Sequence, residues 1–319
     1  MAFYTGTGSA VQIGKETQFA QGVSPTTLVD ITSESIKVAV EKGDEGSLLA
    51  SKTQMRRDLL GVTVDGSLSF ILKPQTAGLL LHAALGGTDT CTQIESSEKW
   101  RHTMALCGAN ESLPSLTVIV HRRAATKEYA GCTIASLSLE CAAGDYVKGS
   151  IDLRGIKEED GTLNESLKGF TVPSYRCTAA TFSVGGESLD ISSATLRIDN
   201  ALEAAPRTYA SGLYAGRPQH GRRSVGISFE IPYSGAVEEL KQTYLTAETC
   251  TSIQLAFTSS NPDYSIQITL ANVSIGSVEA NVGGSGILSA SIDGEALSVG
   301  DEEPIVVVIT DKTNSAYGG

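Results

Sequence analysis

The segment closest to a chemical motif is GTGSAVQIGKET at residues 6–17, which resembles a phosphate-binding P-loop. Such a loop cradles phosphates with backbone amides and places a Ser or Thr after its Lys to bind magnesium. Here the Gly8 to Gly14 spacing is one residue too long, and Lys15 is followed by Glu16. No strand-to-helix context surrounds the segment. It therefore predicts a tight turn, not a nucleotide site.

Histidine and cysteine lack the spacings of metal ligands or catalytic pairs. No G-x-S-x-G elbow gathers the many Ser, Asp and Glu residues either. The sequence therefore predicts no catalytic residue, no metal and no cofactor, and it predicts the cysteines to be small buried side chains in a reducing compartment. The residues concerned are His82, His102, His121, His220, Cys91, Cys107, Cys132, Cys141, Cys177 and Cys250.

Composition favours a globular all-β chain. Of 319 residues, 41% are hydrophobic, which is enough for a buried core, while 6% are aromatic and 33 are glycine, which favours short strands joined by turns. A formal charge of −12 argues against a surface that grips nucleic acid, because that needs clustered Lys and Arg. No run of 18 apolar residues and no signal peptide are present, so we expect production in a cytoplasm and no membrane span.

The strands and helices that would position any functional site are predicted twice, in the same order, along the chain. Apolar residues alternate at the period of a strand in the same order in both halves, and each half contains one segment with helical spacing. This order predicts the succession β-loop-β-α-β-β-β in each copy. The corresponding segments are Ser35-Ile36-Lys37-Val38 and Thr195-Leu196-Arg197-Ile198, SLSFILKP (67–74) and GISFEIPY (226–233), TAGLLLHAALG (76–86) and SGAVEELKQTYL (234–245), and SLTVIV (115–120) and SIQLAF (252–257).

The last two strands of each copy carry the most specific correspondence. The alternation slips by one residue at Ile134-Ala135-Ser136-Leu137 and at Leu270-Ala271-Asn272-Val273, as a β-bulge requires. Both copies then end on Ser-Ile-Asp, at 150–152 and 291–293. Element order, slip and ending together indicate a tandem duplication.

The duplication predicts two β-sandwich or partial-barrel domains, each with one short helix. We expect the first domain at 1–156, a charged and Pro-containing linker at 157–175, and the second domain at 176–299. Residues 300–319 would form a C-terminal strand or arm, which either closes its own domain or pairs with the open edge of a neighbouring subunit.

Basic residues cluster in the long polar segment that occupies the same place in both copies. Solvated loop charge is the ordinary interpretation. The sharper one is a contact between subunits or between rings of subunits, because acidic molecules that stack need local complementary charge. The candidates for this contact are Arg56 and Arg57 in the first copy and Arg217, Arg222 and Arg223 in the second.

Several segments together resemble the tail tube proteins of long-tailed bacteriophages. They are IGKETQFAQGVSPT, LLGVTVDGSLSFILKPQTAGLLLHAALG, LPSLTVIV and EYAGCTIASLSLECAAGDYVKGSIDLRG, within residues 10–156; the second half resembles the family through the duplication. The resemblance implies small β-sandwiches with one flanking helix, whose sheets join around a ring into a continuous barrel. It also implies rings that stack through long loops and DNA that passes through the bore at ejection.

The resemblance further implies the partners. These are other copies of the chain, and tape measure, tail terminator and tail-tip proteins, with DNA only in transit and no membrane. The protein would assemble in the bacterial cytoplasm and reside in the tail of the virion. If each domain lends four strands spaced about 4.8 Å apart and tilted by about 40°, three chains give a cylinder of about 24 strands and about 48 Å. Six chains would double that width, so we expect a trimeric, pseudo-hexameric ring.

Polar residues on the strands that would pair around the ring are the candidates for lining its channel. They are small and neutral or acidic, without aromatic platforms, and would not hold a phosphate backbone. An ordinary solvated face explains them equally well, and a β-sandwich adhesin or tail-tip binding module remains the alternative function. The candidates are Ser136, Ser138, Glu140, Ser150, Asp152, Asn272, Ser274, Glu279, Ser289, Ser291 and Asp293.

Overall fold

The computed structural model describes residues 5–44, 57–95, 97–167, 169–205, 207–246, 249–280, 287–300 and 302–317. The fold is all-β, as composition predicts, with a helix after the fifth strand of the first half. The elements of this half are β1 (Ala10–Lys15), β2 (Thr27–Val29), β3 (Ile31–Glu34), β4 (Lys37–Asp44), β5 (Arg57–Ile71), α1 (Pro74–Leu85), β6 (Thr90–Gln93), β7 (Trp100–Ala105), β8 (Leu116–His121), β9 (Thr126–Ala142), β10 (Lys148–Gly155) and β11 (Lys157–Asp160).

The second half repeats this order with fewer insertions. Its helix continues directly into a π-helical turn at Lys241–Thr246. The elements are β12 (Tyr175–Val184), β13 (Glu187–Ser188), β14 (Ser193–Asp199), β15 (Ser224–Pro232), α2 (Gly235–Leu240), β16 (Thr251–Ser259), β17 (Ser265–Ala280), β18 (Ser289–Ala296) and β19 (Val306–Asp311).

Strand pairing repeats over a longer stretch than the sequence pattern indicated. β1 pairs with β8 as β12 pairs with β16, so the repeat begins before the segments that the sequence aligned. β11 pairs with the first half of β9, and β19 pairs with the first half of β17 in the same way. The strand in the expected linker and the strand in the expected C-terminal arm therefore occupy equivalent places.

Eight strands form one continuous antiparallel sheet that runs through both copies. Their order is β4, β5, β10, β9, β14, β15, β18 and β17, with β3 continuing the outer edge beside β4. Each copy contributes four positions to this sheet. The copies meet where β9 pairs with β14, from Ser136 opposite Asp199 to Ala142 opposite Ser193.

The long strands β9 and β17 each cross between two layers. The first half of β9 pairs with β8 and β11, and its second half pairs with β10 and β14. Each crossing strand contains two bulges, one facing β8 or β16 and one facing β10 or β18. These bulges bend the strand, which is how one strand serves both layers of a sandwich.

The expected equivalence of the two slips is wrong by several residues. In β9 the slip at Ala135 lies against β10, whereas the slip at Ala271-Asn272 lies against β16. The true counterpart of Ala135 is Gly276, where the pairing of β17 with β18 shifts. Likewise Leu68 and Phe229 are equivalent, because Leu68 opposes Ile151 and Phe229 opposes Ile292, so the match between β5 and β15 is shifted by two residues.

One side of the eight-stranded sheet is buried against the second layer. The apolar residues that alternate with the polar candidates along β9, β10, β17 and β18 are buried, and each such side chain contributes about 1.5 to 3 kcal/mol. Leu196 and Ile198 of β14 join the same core across the junction between the copies. These alternating apolar residues are Leu137, Leu139, Ile151, Leu153, Val273, Ile275 and Ile292.

The two helices confirm the predicted helical segments, but their surroundings differ. α1 starts with Pro74 at its first position and ends at Gly86, whose φ of 77° is the left-handed conformation that glycine tolerates. Nearly all of α1 is buried, whereas Val237 is the buried residue of α2. α1 is covered by the C-terminal segment, since the ring of Tyr317 lies where a side chain on Gly78 would project.

The P-loop-like segment is largely a strand. Only its start turns, where the amide of Ser9 donates to the carbonyl of Gly6, and β1 follows directly. The buried carboxylate of Glu16 accepts hydrogen bonds from Ala20, Thr117 and Gly131. Glu16 therefore ties β1 to β8 and β9, and the expectation of a tight turn over the whole segment is wrong.

Candidate functional site

The exposed side of the eight-stranded sheet is a continuous polar surface, which we call the polar face. Paired residues point to the same side of a sheet, so the registers define which side chains share it. One row across the sheet runs through Ser67, Asp152, Ser136 and Asp199. A corresponding row in the second copy contains Ser277, Asp293, Ser228 and Thr195.

Ten of the eleven channel-lining candidates share this surface. They are Ser136, Ser138, Glu140, Ser150, Asp152, Ser274, Glu279, Ser289, Ser291 and Asp293. Asn272 lies apart, in the bulge that faces β16, where its side-chain amide donates to Glu302 at 2.7 Å. The alternating sequence pattern identified most residues of the polar face. Asn272 lies apart because its bulge was matched with the wrong bulge of β9.

Hydrogen bonds within the polar face repeat between the copies. Ser136 Oγ donates to Oδ2 of Asp152 at 2.6 Å, and Ser277 Oγ donates to Oδ2 of Asp293 at 3.0 Å. Asp293 also accepts from Ser228 Oγ at 2.6 Å. The serines therefore hold these carboxylates close to the backbone of the sheet, so the surface is smooth.

Sequence reasoning missed the basic residues of the polar face. Acidic side chains outnumber basic ones on the described part of this face. Long-range pairing brings these basic residues among the acidic ones, and no local pattern marks them. The basic ones are Lys37, Lys148, Arg154 and Arg197; the acidic ones include Glu41, Asp65, Glu140, Asp152, Asp199, Glu230, Glu279, Asp293 and Glu295.

Three of these four basic groups already have partners within the chain. Lys148 pairs with Asp145 at 2.5 Å, Arg197 lies 3.7 Å from Asp199, and Arg154 donates to the carbonyl of Leu202 at 2.8 Å. Lys37, on the outer strand β4, makes no ion pair or side-chain hydrogen bond with any residue that the structure describes.

The loop arginines fall into two groups. Arg217 donates to the carbonyl of Leu113 at 2.5 Å and lies over Phe19, and Arg223 donates to the carbonyls of Leu85 and Cys107. Both therefore tie the long segment of the second copy to the first. Arg57 and Arg222 are exposed, and Arg56 lies outside the described residues.

The two long polar segments also contact each other. The first extends as the β4–β5 hairpin, with Asp44 opposite Arg57. The amide of Val62 donates to the carbonyl of Leu213 at 3.0 Å, and Arg207 pairs with Glu41 at 2.6 Å. The described parts of both segments therefore form one joint feature at the seam between the copies.

A buried histidine cluster is the arrangement that most resembles a catalytic one. His102 on β7 places Nδ1 2.8 Å from Oδ2 of Asp89, and Nε2 2.9 Å from the carbonyl oxygen of Thr313 and 3.3 Å from Oδ1 of Asp311. Since both ring nitrogens face acceptors, both must carry a proton. Burial lowers the pKa of His102, but hydrogen bonds to Asp311 and Asp89 outweigh it and raise the pKa to about 10.

The C-terminal segment completes this cluster. The backbone amide of Tyr317 donates to Asp89 at 2.7 Å, its hydroxyl donates to Asp311, and its ring lies 4.8 Å from that of His102. β19, which carries Asp311, pairs with β7 of the first copy. The cluster therefore clamps the end of the second copy onto the first. Sequence reasoning missed it because Asp311 and Tyr317 lie more than 200 positions from Asp89 and His102.

Cys91 lies beside this cluster but is not activated. Its Sγ is 3.9 Å from Nε2 of His102. Burial, together with Asp89 and Asp311, raises the pKa of the Cys91 thiol despite the nearby imidazolium. A nucleophilic cysteine needs a thiolate and a histidine able to accept a proton, and a doubly donating His102 cannot accept one. The geometry is that of a structural clamp.

The remaining cysteines follow the sequence prediction with one exception. Cys107, Cys132, Cys141 and Cys177 are buried thiols, whereas Cys250 is exposed. The described residues contain no group of His, Cys, Asp and Glu arranged to hold a metal ion. None of the described helices is long and apolar enough to cross a membrane.

Comparison with known proteins identifies the family. A family model described as phage tail tube protein matches residues 6–296, so the chain belongs to this family. No curated protein matches the chain. Among solved structures, a chain titled "TodX monoaromatic hydrocarbon channel deltaS2 mutant" shows 9% identity over 95% of this chain and 87% of that one, with a TM-score of 0.10.

Membership confirms the family resemblance found in the sequence. The protein has a structural role in the tail tube of a phage, and its place is the tail of the virion. Members of such a tube assemble with copies of themselves and with other tail components.

The charged state of His102 leads to a prediction about stability and pH. The folded pKa of about 10 lies above the unfolded value of 6.5, so its contribution is complete below pH 6.5 and is lost as pH rises through 10. We expect His102→Asn to lower the unfolding free energy near pH 6 by about 3 kcal/mol. The difference between wild type and variant, measured by denaturant unfolding, should shrink towards pH 10. A difference independent of pH would contradict a charged His102.

Proposed function

We propose that three copies of this chain form a ring, that rings stack into the tail tube, and that DNA passes through the bore. The observation that carries the proposal is the β9–β14 junction, where two equivalent four-strand units join edge to edge in one sheet. The two ends of that sheet present the same kinds of edge as the strands that meet at the junction. Repetition of one junction around a ring closes the sheet and leaves no edge open.

Ring size follows from the number of strands that each chain supplies. Eight strands per chain give a cylinder of about 24 strands for three chains, with a backbone diameter of about 48 Å at a tilt of about 40°. Side chains would leave roughly 35 to 40 Å, enough for duplex DNA of about 20 Å. Six chains would leave a bore far wider than the duplex requires.

In this arrangement the polar face lines the bore. Its excess of acidic side chains gives an acidic channel, and its basic groups are mostly paired with neighbouring carboxylates or carbonyls. DNA phosphates would therefore meet repulsion without exposed patches of positive charge. Serine-rich rows without aromatic rings offer no platform for bases, which supports passage without binding.

The ring is tested directly by cryo-electron microscopy of assembled tubes. We expect three chains in each ring and six similar units around the axis. Six chains in each ring would contradict the proposal. A purified chain that stays monomeric under all assembly conditions would instead favour the alternative of a β-sandwich adhesin or tail-tip module.

The lining is tested by reversing charge on the polar face. We expect Glu140→Lys with Asp293→Lys to slow DNA ejection about tenfold at low ionic strength, because lysines in the bore attract phosphate, and less at high salt. Ejection would be followed by release of DNA from phage that carry the variant. The control is Glu165→Lys with Glu187→Lys, which makes the same change of charge at exposed sites off the polar face. Equal rates for both variants would place the polar face outside the channel.

The loop arginines are tested by assembly. We expect Arg56→Glu with Arg57→Glu to leave a folded, soluble subunit that forms no tubes, because reversed charge at the hairpin opposes contact with another acidic ring. Thermal unfolding would verify the fold, and electron microscopy would score the tubes. Arg101→Glu with Arg176→Glu, at exposed strand positions, is the matched control and should assemble. Normal tubes from the hairpin variant would exclude this contact.

A further inference from the structure

Two strand edges at the ends of the eight-stranded sheet have no partner among the described residues. β4 pairs with β5 on one side only. Residues 274–280 of β17 pair with β18 on one side only. Inside the chain the equivalent edges, the second half of β9 and β14, pair with each other. The duplication therefore shows, at residue level, how the free edges would fit together.

The equivalence of the strands rests on pairing and on hydrogen bonds. Ser136 opposes Asp152 and bonds to it, as Ser277 does with Asp293, so β17 superposes on β9 at that position. On the other edge, Lys37 opposes Asp65 of β5 where Arg197 opposes Gly226 of β15. Lys37 thus takes the place of Arg197.

From this equivalence we infer that β4 of one chain pairs antiparallel with residues 277–280 of a second copy, in one specific register. Ala39 lies opposite Ser277, Val38 opposite Val278, Lys37 opposite Glu279, and Ile36 opposite Ala280. The inference rests on the proposed function, since it specifies the contact that closes the ring. Its template is the β9–β14 junction, in which Asp199 opposes Ser136 and Arg197 opposes Ser138.

Apolar exposure at the free edges supports this partner. At the internal junction, Leu196, Ile198 and Asn200 are all fully buried. Their counterparts on β4 become more exposed towards the strand's end: Ile36 is 2% exposed, Val38 is half-buried, and Val40 is 53% exposed. Val40 stands where the internal junction has Asn200, whose side-chain amide donates to the carbonyls of Ala84 and Ile134.

The partner strand shows the same pattern. Leu137 and Leu139 of β9 are 1% exposed at the internal junction. Their counterparts Val278 and Ala280 are half-buried and exposed. Both free edges therefore carry exposed or half-buried apolar side chains on the core side. A second copy covers both at once.

Charge supplies the specificity. Lys37 is the basic group of the polar face without a partner in the described structure, and Glu279 likewise makes no ion pair or side-chain hydrogen bond there. The inferred register places them directly opposite each other. Opposite charges across a strand pair stabilise it, and like charges destabilise it. A shift of two residues in either direction would separate this pair.

The charge pair is tested by reversal and exchange. We expect Lys37→Glu alone, and Glu279→Lys alone, to raise the protein concentration needed for tube formation by about tenfold, because each places like charges at every closing contact. The exchange variant that combines both changes should return to within about twofold of wild type. Sedimentation and electron microscopy measure the assembly. Lys241→Glu and Glu239→Lys, at exposed sites of the second helix, are the matched controls and should assemble normally.

The register is tested by cysteine pairs. In the template, the amide of Asn200 donates to the carbonyl of Ala135, which makes Asp199 and Ser136 a non-hydrogen-bonded pair with closely spaced Cα atoms. Ala39→Cys with Ser277→Cys reproduces that geometry between chains, within reach of a disulfide. In a Cys250→Ser background, mild oxidation of tubes should give a covalent trimer on a non-reducing gel. Glu41→Cys with Ser277→Cys, offset by two residues, should not cross-link.

The outcomes separate this inference from the proposed function. If tubes with three chains per ring cross-link only through the offset pair, or through neither pair, the inferred register is wrong. The proposed role as a tube subunit would be unaffected. Failure of the exchange variant to recover assembly would overturn the ion pair. A wild-type chain that never forms rings would overturn both. Ladders that extend to six chains would keep the register and reject the trimer.

Discussion

The pairing of β9 with β14 is the interaction on which the rest of the structure depends. A strand edge presents unpaired amide and carbonyl groups, and in this chain each copy satisfies one such edge of the other. The junction fuses two polar faces into one surface and two apolar faces into one core. The proposed assembly would use the same kind of contact as folding, since the edges left at the ends of the sheet are equivalent to those already joined inside it.

Sequence alone predicted the β class, the duplication and most of the polar face. The match of Ser35-Ile36-Lys37-Val38 with Thr195-Leu196-Arg197-Ile198 holds in the structure. β4 pairs with β5 in the same register in which β14 pairs with the equivalent strand β15. The match of β9 with β17 was shifted, because each strand contains two bulges and only one of them was aligned. A single break in alternation marks a bulge without saying which neighbour it faces.

The parts that sequence could not predict are those made by contacts distant along the chain. His102 is charged because Asp89 and Asp311 meet around it, and Asp311 belongs to a strand at the other end of the chain. Arg217 and Arg223, expected to face other subunits, donate to carbonyls of the first copy instead. From sequence alone, a basic residue in a long loop is expected to be solvated. Only the packing of the two copies shows which backbone carbonyls accept hydrogen bonds from these arginine side chains.

The two copies pair alike yet differ where an insertion adds a second seam. Between α1 and β8 the first copy inserts β6 and β7, and β7 receives β19 of the second copy. Among the described residues, the second copy has no strand between Lys241–Thr246 and β16. Within a chain the copies are therefore joined by β9–β14, by β7–β19 and by the His102 clamp, whereas the proposed contact between chains would have only a strand pairing of the first kind. In the proposed ring, these unequal contacts would make the single chain the folding unit and ring formation the later step, and they would reduce an approximate sixfold arrangement to a true threefold one.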